Sequence, residues 1–219
     1  MKMPSRSRPE KLISNVIEYQ SSAAQPDKVK FLVSLDEDDE TIQQAIEQLS
    51  WRHNVSVVVC TSKSKIDACN RDMKINLEWD IVVLASDDMR VKVDGWDNII
   101  RENMLKYFHD TDGCLWFNDG AQHSAGTQQM ICTLSILGRK YYDRIGYIYH
   151  PEYKSFFCDN EFTEVAQAEG KLKYINQCII RHEHPAWGHG KQDELYKAND
   201  AHWKHDQDLY HIRKAKGFK

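Results

Sequence analysis

No stretch of this sequence approaches the roughly 20 consecutive apolar residues that a membrane-spanning helix needs. The opening Met-Lys-Met-Pro-Ser-Arg-Ser-Arg-Pro lacks the apolar centre of a secretory signal, so the expected location is the cytoplasm. Positive charge is not in excess: 29 Lys and Arg stand against 33 Asp and Glu, a formal net charge of -4. That excludes a globally basic field for capturing nucleic acid but leaves a local patch open. No Cys-x-x-C occurs, and Cys60, Cys69, Cys114, Cys132, Cys158 and Cys178 are scattered. Free thiols, several of them buried, in a reducing cytosol account for them most simply. Internal repeats and low-complexity tracts are absent as well.

What is present is an α/β pattern. The chain has 219 residues, 41% of them hydrophobic, which suits one domain or one domain with a small appendage. A very short first strand lies before Pro9, and Pro9 suits the first turn of a helix striped by Leu12, Ile13, Val16 and Ile17. Strands are expected over 29–35 and 55–60, with a helix carrying Ile42, Ala45, Ile46 and Leu49 between them. A further helix is expected over 65–77. Strands alternating with helices imply βαβ units and a parallel sheet. Beyond residue 95 the spacing predicts a helix through Ile99, Ile100, Met104, Leu105 and Phe108. Strands follow at 114–117, 130–137 and 173–180, with a helix over 159–170 that Gly170 closes. The aromatic segment 141–157 has no regular period. Residues 193–219 read as a polar helical tail with a basic end.

The chemistry concentrates where Asp80-Ile81-Val82-Val83-Leu84-Ala85 runs into Ser86-Asp87-Asp88. A Val/Ile-rich apolar run reads as a strand buried on both faces. In an open α/β sheet, ligands sit beyond the carboxyl ends of such strands. Two adjacent carboxylates there suit a hard divalent cation carrying a phosphate. A polar turn closing the strand is the plain alternative.

Four motifs, in order, resemble those of GT-A fold glycosyltransferases, family 2-like. The strand end Leu35-Asp36-Glu37-Asp38-Asp39 resembles that family's base- and ribose-contacting acid. Lys65-Ile66-Asp67-Ala68-Cys69-Asn70 resembles its Lys-x-x-Ala-x-Asn helix. Ser86-Asp87-Asp88 stands where it carries Asp-x-Asp, and Cys158-Asp159-Asn160-Glu161-Phe162 resembles its Glu-Asp-x-Asp-Leu segment. Small size and the Ser-Asp-Asp-Met form are similar to bacteriophage members. The chain departs in having Ser86 at the first motif acid, Cys158 at the Glu position and a minimal first strand.

The resemblance implies an open, mostly parallel sheet with helices on both faces. It implies one domain over 1–192, with a nucleotide-sugar half at 1–90 and an acceptor half at 91–192. The implied activity is metal-dependent and inverting, from a nucleotide-diphosphate donor, expected to be a UDP-sugar, to a hydroxyl acceptor. Asp88 is the expected direct ligand of Mn²⁺ or Mg²⁺, with His182 or His184 completing the sphere. Pro4, Ser5, Arg6, Arg8, Asp36, Asp38, Lys65, Asn70, Ser86 and Asp87 fall on the donor side, where Arg6 and Arg8 can pair with the diphosphate. Asp38 or Asp39 equally suits a helix N-cap. Asp159 is the expected general base, with Glu161 in reserve. Asp119 and Trp187 are acceptor-side candidates, and the acceptor could be a glycan, a small molecule or a modified DNA base. A nucleotidyltransferase of related fold and a non-catalytic nucleotide- or glycan-binding protein are the alternatives. The first of these usually carries a Gly-rich loop after its first strand, and Pro4 to Pro9 contains no glycine.

Overall fold

The computed structural model describes residues 1–75, 78–122, 131–184 and 193–219. Strands β1 (Lys2–Ser5), β2 (Phe31–Asp36) and β3 (Val55–Cys60) pair in parallel, in the order β1-β2-β3. They alternate with α1 (Pro9–Ser21), α2 (Ile42–Leu49) and α3 (Lys65–Asn70). A second group runs β4-β7-β6-β8, from β4 (Ile81–Val83), β6 (Cys114–Phe117), β7 (Ile136–Gly138) and β8 (Leu172–Ile175). A parallel bridge from Lys2 to Leu84 joins the two groups, reinforced by Ala85 N donating to Lys2 O at 3.0 Å. β7 runs antiparallel to both β4 and β6, whereas β6 and β8 are parallel. A separate antiparallel ribbon joins β5 (Met89–Val91) to β9 (Ile180–His182). The remaining helices are α4 (Trp96–Tyr107), α5 (Arg139–Ile145), α6 (Cys158–Ala168), α7 (Glu194–Asp200) and α8 (Trp203–Ala215).

Alternation along the strands explains the two cores. Successive strand side chains point to opposite faces. Phe31, Val33, Val83, Leu115 and Phe117 accordingly join the core under α1, α2 and α4. Leu32, Val82, Leu84, Cys114 and Trp116 join the opposite core, which holds Tyr141, Tyr153 and Phe162. The four cysteines at 69, 114, 132 and 158 are buried and all six are free. Among the described residues, no helix is long and apolar enough to cross a membrane.

Three expectations need correction. The helix predicted over 65–77 ends at Asn70. There Asn70 Nδ2 donates to Tyr149 O (2.6 Å), and its Oδ1 accepts from Ile148 N (2.9 Å) and Tyr149 N (3.1 Å). The chain then turns so that Arg71 Nη2 reaches Leu35 O at 2.6 Å. The single strand predicted over 173–180 is two strands in different sheets, β8 and β9, because residues 176–179 carry the chain from the main sheet to the ribbon. The strand predicted from residue 130 begins, among the described residues, only at Ile136.

The Asn70 bonds support a stability prediction. Ile148 and Tyr149 are buried, so Asn70→Ala would strand their backbone groups at about 1–3 kcal/mol for each that stays dry. Denaturant midpoints of the two proteins should differ accordingly, with an unchanged transition slope.

Candidate active site

The site forms where β4 ends. Ser86 to Met89 make a tight turn, closed by Met89 N donating to Ser86 O at 3.2 Å. The β5–β9 register then sets Met89 opposite His182. Glu183 N donates to Asp88 O at 2.8 Å, and His182 N donates to Asp119 O at 3.0 Å. Backbone pairing therefore carries His182 to Asp88, where Nε2 lies 3.4 Å from Oδ2. Ser86 Oγ donates to Asp88 Oδ1, and Tyr196 Oη donates to Asp88 Oδ2 at 2.7 Å. Burial alone would raise the Asp88 pKa, but the bonds from His182, Ser86 and Tyr196 hold it well below the ordinary value.

His184 stands one step out. Its ring centroid is 5.5 Å from that of His182 and 4.8 Å from that of Tyr196. Burial, with His182 beside it, lowers its pKa to about 4, so the imidazole is neutral at physiological pH. Of the two histidines, His182 is the one within reach of Asp88.

The other motif acid, Asp87, is buried and turned toward the first turn of the chain. Its Oδ2 accepts from Ser5 Oγ (2.9 Å) and its Oδ1 from Arg8 Nη1 (2.8 Å). Burial raises its pKa and Arg8 opposes that. Arg8 is itself engaged on several sides: Nε and Nη2 both bind the Asp193 carboxylate at 2.8 Å, and its guanidinium lies 4.2 Å over the Tyr196 ring. Arg6 instead bridges Asp36 (3.1 Å) and Asp38 (2.6 and 2.9 Å) at the end of β2. Arg71 approaches the other Asp36 oxygen at 3.5 Å. Asp39, rather than Asp38, organises the approach to α2, accepting from Thr41 N at 3.0 Å and Ser7 N at 2.6 Å. Pro4 sits within β1, opposite Ser34.

Across the site, Asp159 lies in the first turn of α6 and accepts from Asn160 N at 3.0 Å. Burial raises its pKa; the charges of Lys65 and His182 pull the other way. Asp159, Lys65, His182 and Asp88 thus share one electrostatic neighbourhood. Glu161 is committed elsewhere. Its carboxylate takes Nε and Nη2 of Arg213, each at 2.8 Å, and the Tyr153 hydroxyl at 2.8 Å. Asp119 is likewise spent on its own loop, accepting from Ala121 N, Gln122 N, Gln122 Nε2 and Thr133 Oγ1. Trp187 lies outside the described residues.

The tail, read as an appendage, is part of this construction. Asp206 of α8 is fully buried and accepts from the backbone N–H groups of Lys154, Ser155 and Phe156 at 2.7–3.2 Å. Phe157, left-handed at φ 61°, packs on Trp203 and Tyr210. A left-handed non-glycine residue is held only where its surroundings compel it. Here α8 supplies that hold, and the next turn presents Asp159. The sequence pattern gave no sign of Asp193, Tyr196 or Asp206. An isolated Asp-x-x-Tyr and an Asp in a helix's first turn are signals that only long-range contacts make meaningful.

No known family model matches the sequence, and no curated protein matches it either. Solved structures do match. The crystal structure of Staphylococcus aureus TarS 1–349 in complex with UDP-GlcNAc superposes with a TM-score of 0.66 at 14% identity, over 90% of this chain and 59% of that one. A mannosyltransferase, PcManGT from Pyrobaculum calidifontis, in complex with GDP-Man and Mn²⁺, gives 0.63 at 12% identity, over 81% and 53%. This chain has the GT-A fold. It spans 59% and 53% of the length of those two structures.

The metal question turns on the donor set. Among the described residues, no three His, Cys, Asp or Glu side chains converge to hold an ion unaided. Asp88 Oδ2 and His182 Nε2 are nonetheless close enough to share one cation, and carboxylate plus imidazole suits Mn²⁺ or Mg²⁺. Among the described residues His182 Nδ1 is buried without a hydrogen-bond partner, and Nε2, the nitrogen that faces Asp88, is the one that would reach the cation. These residues fit a cation whose remaining positions would be filled by diphosphate and water oxygens.

Proposed function

We propose that this chain is a metal-dependent, inverting glycosyltransferase using a nucleotide-diphosphate sugar, expected to be a UDP-sugar. The observation that carries the reading is the pairing of Asp88 with His182 beyond the end of β4, with Asp159, half-buried and raised in pKa, in the first turn of α6. A cation held by Asp88 and His182 would stabilise the charge on the leaving diphosphate. Asp36, between Arg6 and Arg71, offers a carboxylate edge to ribose or base hydrogen-bond donors. Asp159 takes the acceptor hydroxyl's proton as that oxygen bonds to the anomeric carbon. The bond from that carbon to the phosphate oxygen breaks, and the nucleoside diphosphate leaves with the electron pair. The complexes of TarS with UDP-GlcNAc and of PcManGT with GDP-Man and Mn²⁺ support this reading.

The test is calorimetric titration of UDP, GDP, CDP and ADP, with and without Mn²⁺, on wild type and Asp88→Ala. One nucleotide should bind with Mn²⁺ and bind at least 10-fold more weakly when Asp88 is removed. A folded protein that binds none of the four refutes the proposal.

A further inference from the structure

We propose that Tyr196, on the first turn of α7, is a positioning residue for Asp88, which makes α7 a wall of the donor site rather than part of a tail. The inference rests on the reading of Asp88 as a metal carboxylate and adds a residue that no sequence motif marked.

The argument starts from lone pairs. A carboxylate oxygen accepts along about two directions. On Asp88 Oδ2, Tyr196 Oη uses one at 2.7 Å and His182 Nε2 faces another at 3.4 Å. Ser86 Oγ holds Oδ1. A cation shared by Asp88 and His182 would take the His182 side and leave the tyrosine bond in place. Tyr196 and Ser86 then grip the carboxylate from opposite oxygens and fix its plane before any ion arrives. Carboxylates that ligate metals are themselves commonly hydrogen-bonded, and losing that partner typically costs 10–100-fold in affinity.

Tyr196 is held in its own right. The Arg8 guanidinium lies 4.2 Å over its ring, and Asp193, which binds Arg8 bidentately, also accepts from Tyr196 N at 3.2 Å. The His184 ring packs edge-on at 4.8 Å. The hydroxyl thus reaches Asp88 from a ring that cannot easily turn away. Tyr196→Phe removes this one bond and keeps the stack.

The test is Mn²⁺ titration in the presence of saturating UDP, followed by loss of the free-ion electron paramagnetic resonance signal. It compares wild type, Tyr196→Phe and Asp88→Ala, each verified as folded by its thermal transition. UDP affinity without metal is measured alongside. Tyr196→Phe should weaken Mn²⁺ by 10–100-fold and leave metal-free UDP binding unchanged. Mn²⁺ affinity within twofold of wild type, with Asp88→Ala still losing it, would make Tyr196 a bystander and overturn the inference alone. Tighter binding by Tyr196→Phe would do the same by showing that the hydroxyl blocks the site. No Mn²⁺ binding by wild type, or equal binding by Asp88→Ala, would overturn the metal reading and this inference with it.

Discussion

Asp159→Asn is expected to lower kcat by roughly 10²–10⁴-fold, the usual contribution of a positioned general base, while leaving UDP and Mn²⁺ binding near wild type. Asn has the same shape and can still accept from Asn160 N, so the first turn of α6 should survive. The pH dependence has a definite sign. Asp159 accepts a proton only when ionised, and burial raises its pKa above the ordinary 3.8. The acid limb of kcat should therefore lie above the pH at which an exposed carboxylate titrates, and it should be absent in the variant's residual rate. Stability runs the other way. A carboxylate whose folded pKa is raised destabilises the fold where it is ionised, and that cost disappears as pH falls through the folded pKa. Asp159→Asn should thus be at least as stable as wild type at neutral pH while turning over far more slowly. A variant that keeps wild-type kcat would remove Asp159 from the chemistry.

The parts of this fold that were legible in the sequence are those built from local pattern. The largely apolar stretch read as a strand at 29–35 and the apolar run at 81–84 gave buried strands because both faces of the sheet are covered. Pro9 and Gly170 marked a helix start and stop, and Gly170 is left-handed at φ 66°. Ser86-Asp87-Asp88 stood out because an acid pair at the end of a buried strand is chemically unusual. The ribbon was not legible. β5 and β9 have three residues each, too few for any period to show, yet they alone bring His182 to Asp88. The arginines were half legible. Their charge pointed to the site, but only the fold reveals that Arg8 is buried between Asp87 and Asp193 while Arg6 stays partly exposed. Glu161 was misleading for the same reason: a carboxylate two residues from the expected base looks available until α8 is in place.

That pairing leads to the other large effect. Arg213→Met should cost about 3–5 kcal/mol, the usual penalty for stranding a buried charge. Glu161 is 4% exposed and Arg213 is 8% exposed. Without the guanidinium, Glu161 keeps only the Tyr153 hydroxyl. In a domain of this size the loss corresponds to a fall in Tm of roughly 6–20 °C. Replacing both partners, Glu161→Leu with Arg213→Met, should cost less than Arg213→Met alone, because no buried charge is then left unpaired. The comparison also separates two roles for Glu161. If it only ties α8 to α6, then Glu161→Gln measured well below its melting transition should keep most of the wild-type kcat, since Asp159 remains in place. If Glu161 were the base, the same variant would lose turnover while still folded, as Asp159→Asn is expected to. Both proteins carry one amide in place of one carboxylate, two residues apart on the same helix. Only the contacts made by α8 predict that one loses stability and the other loses catalysis.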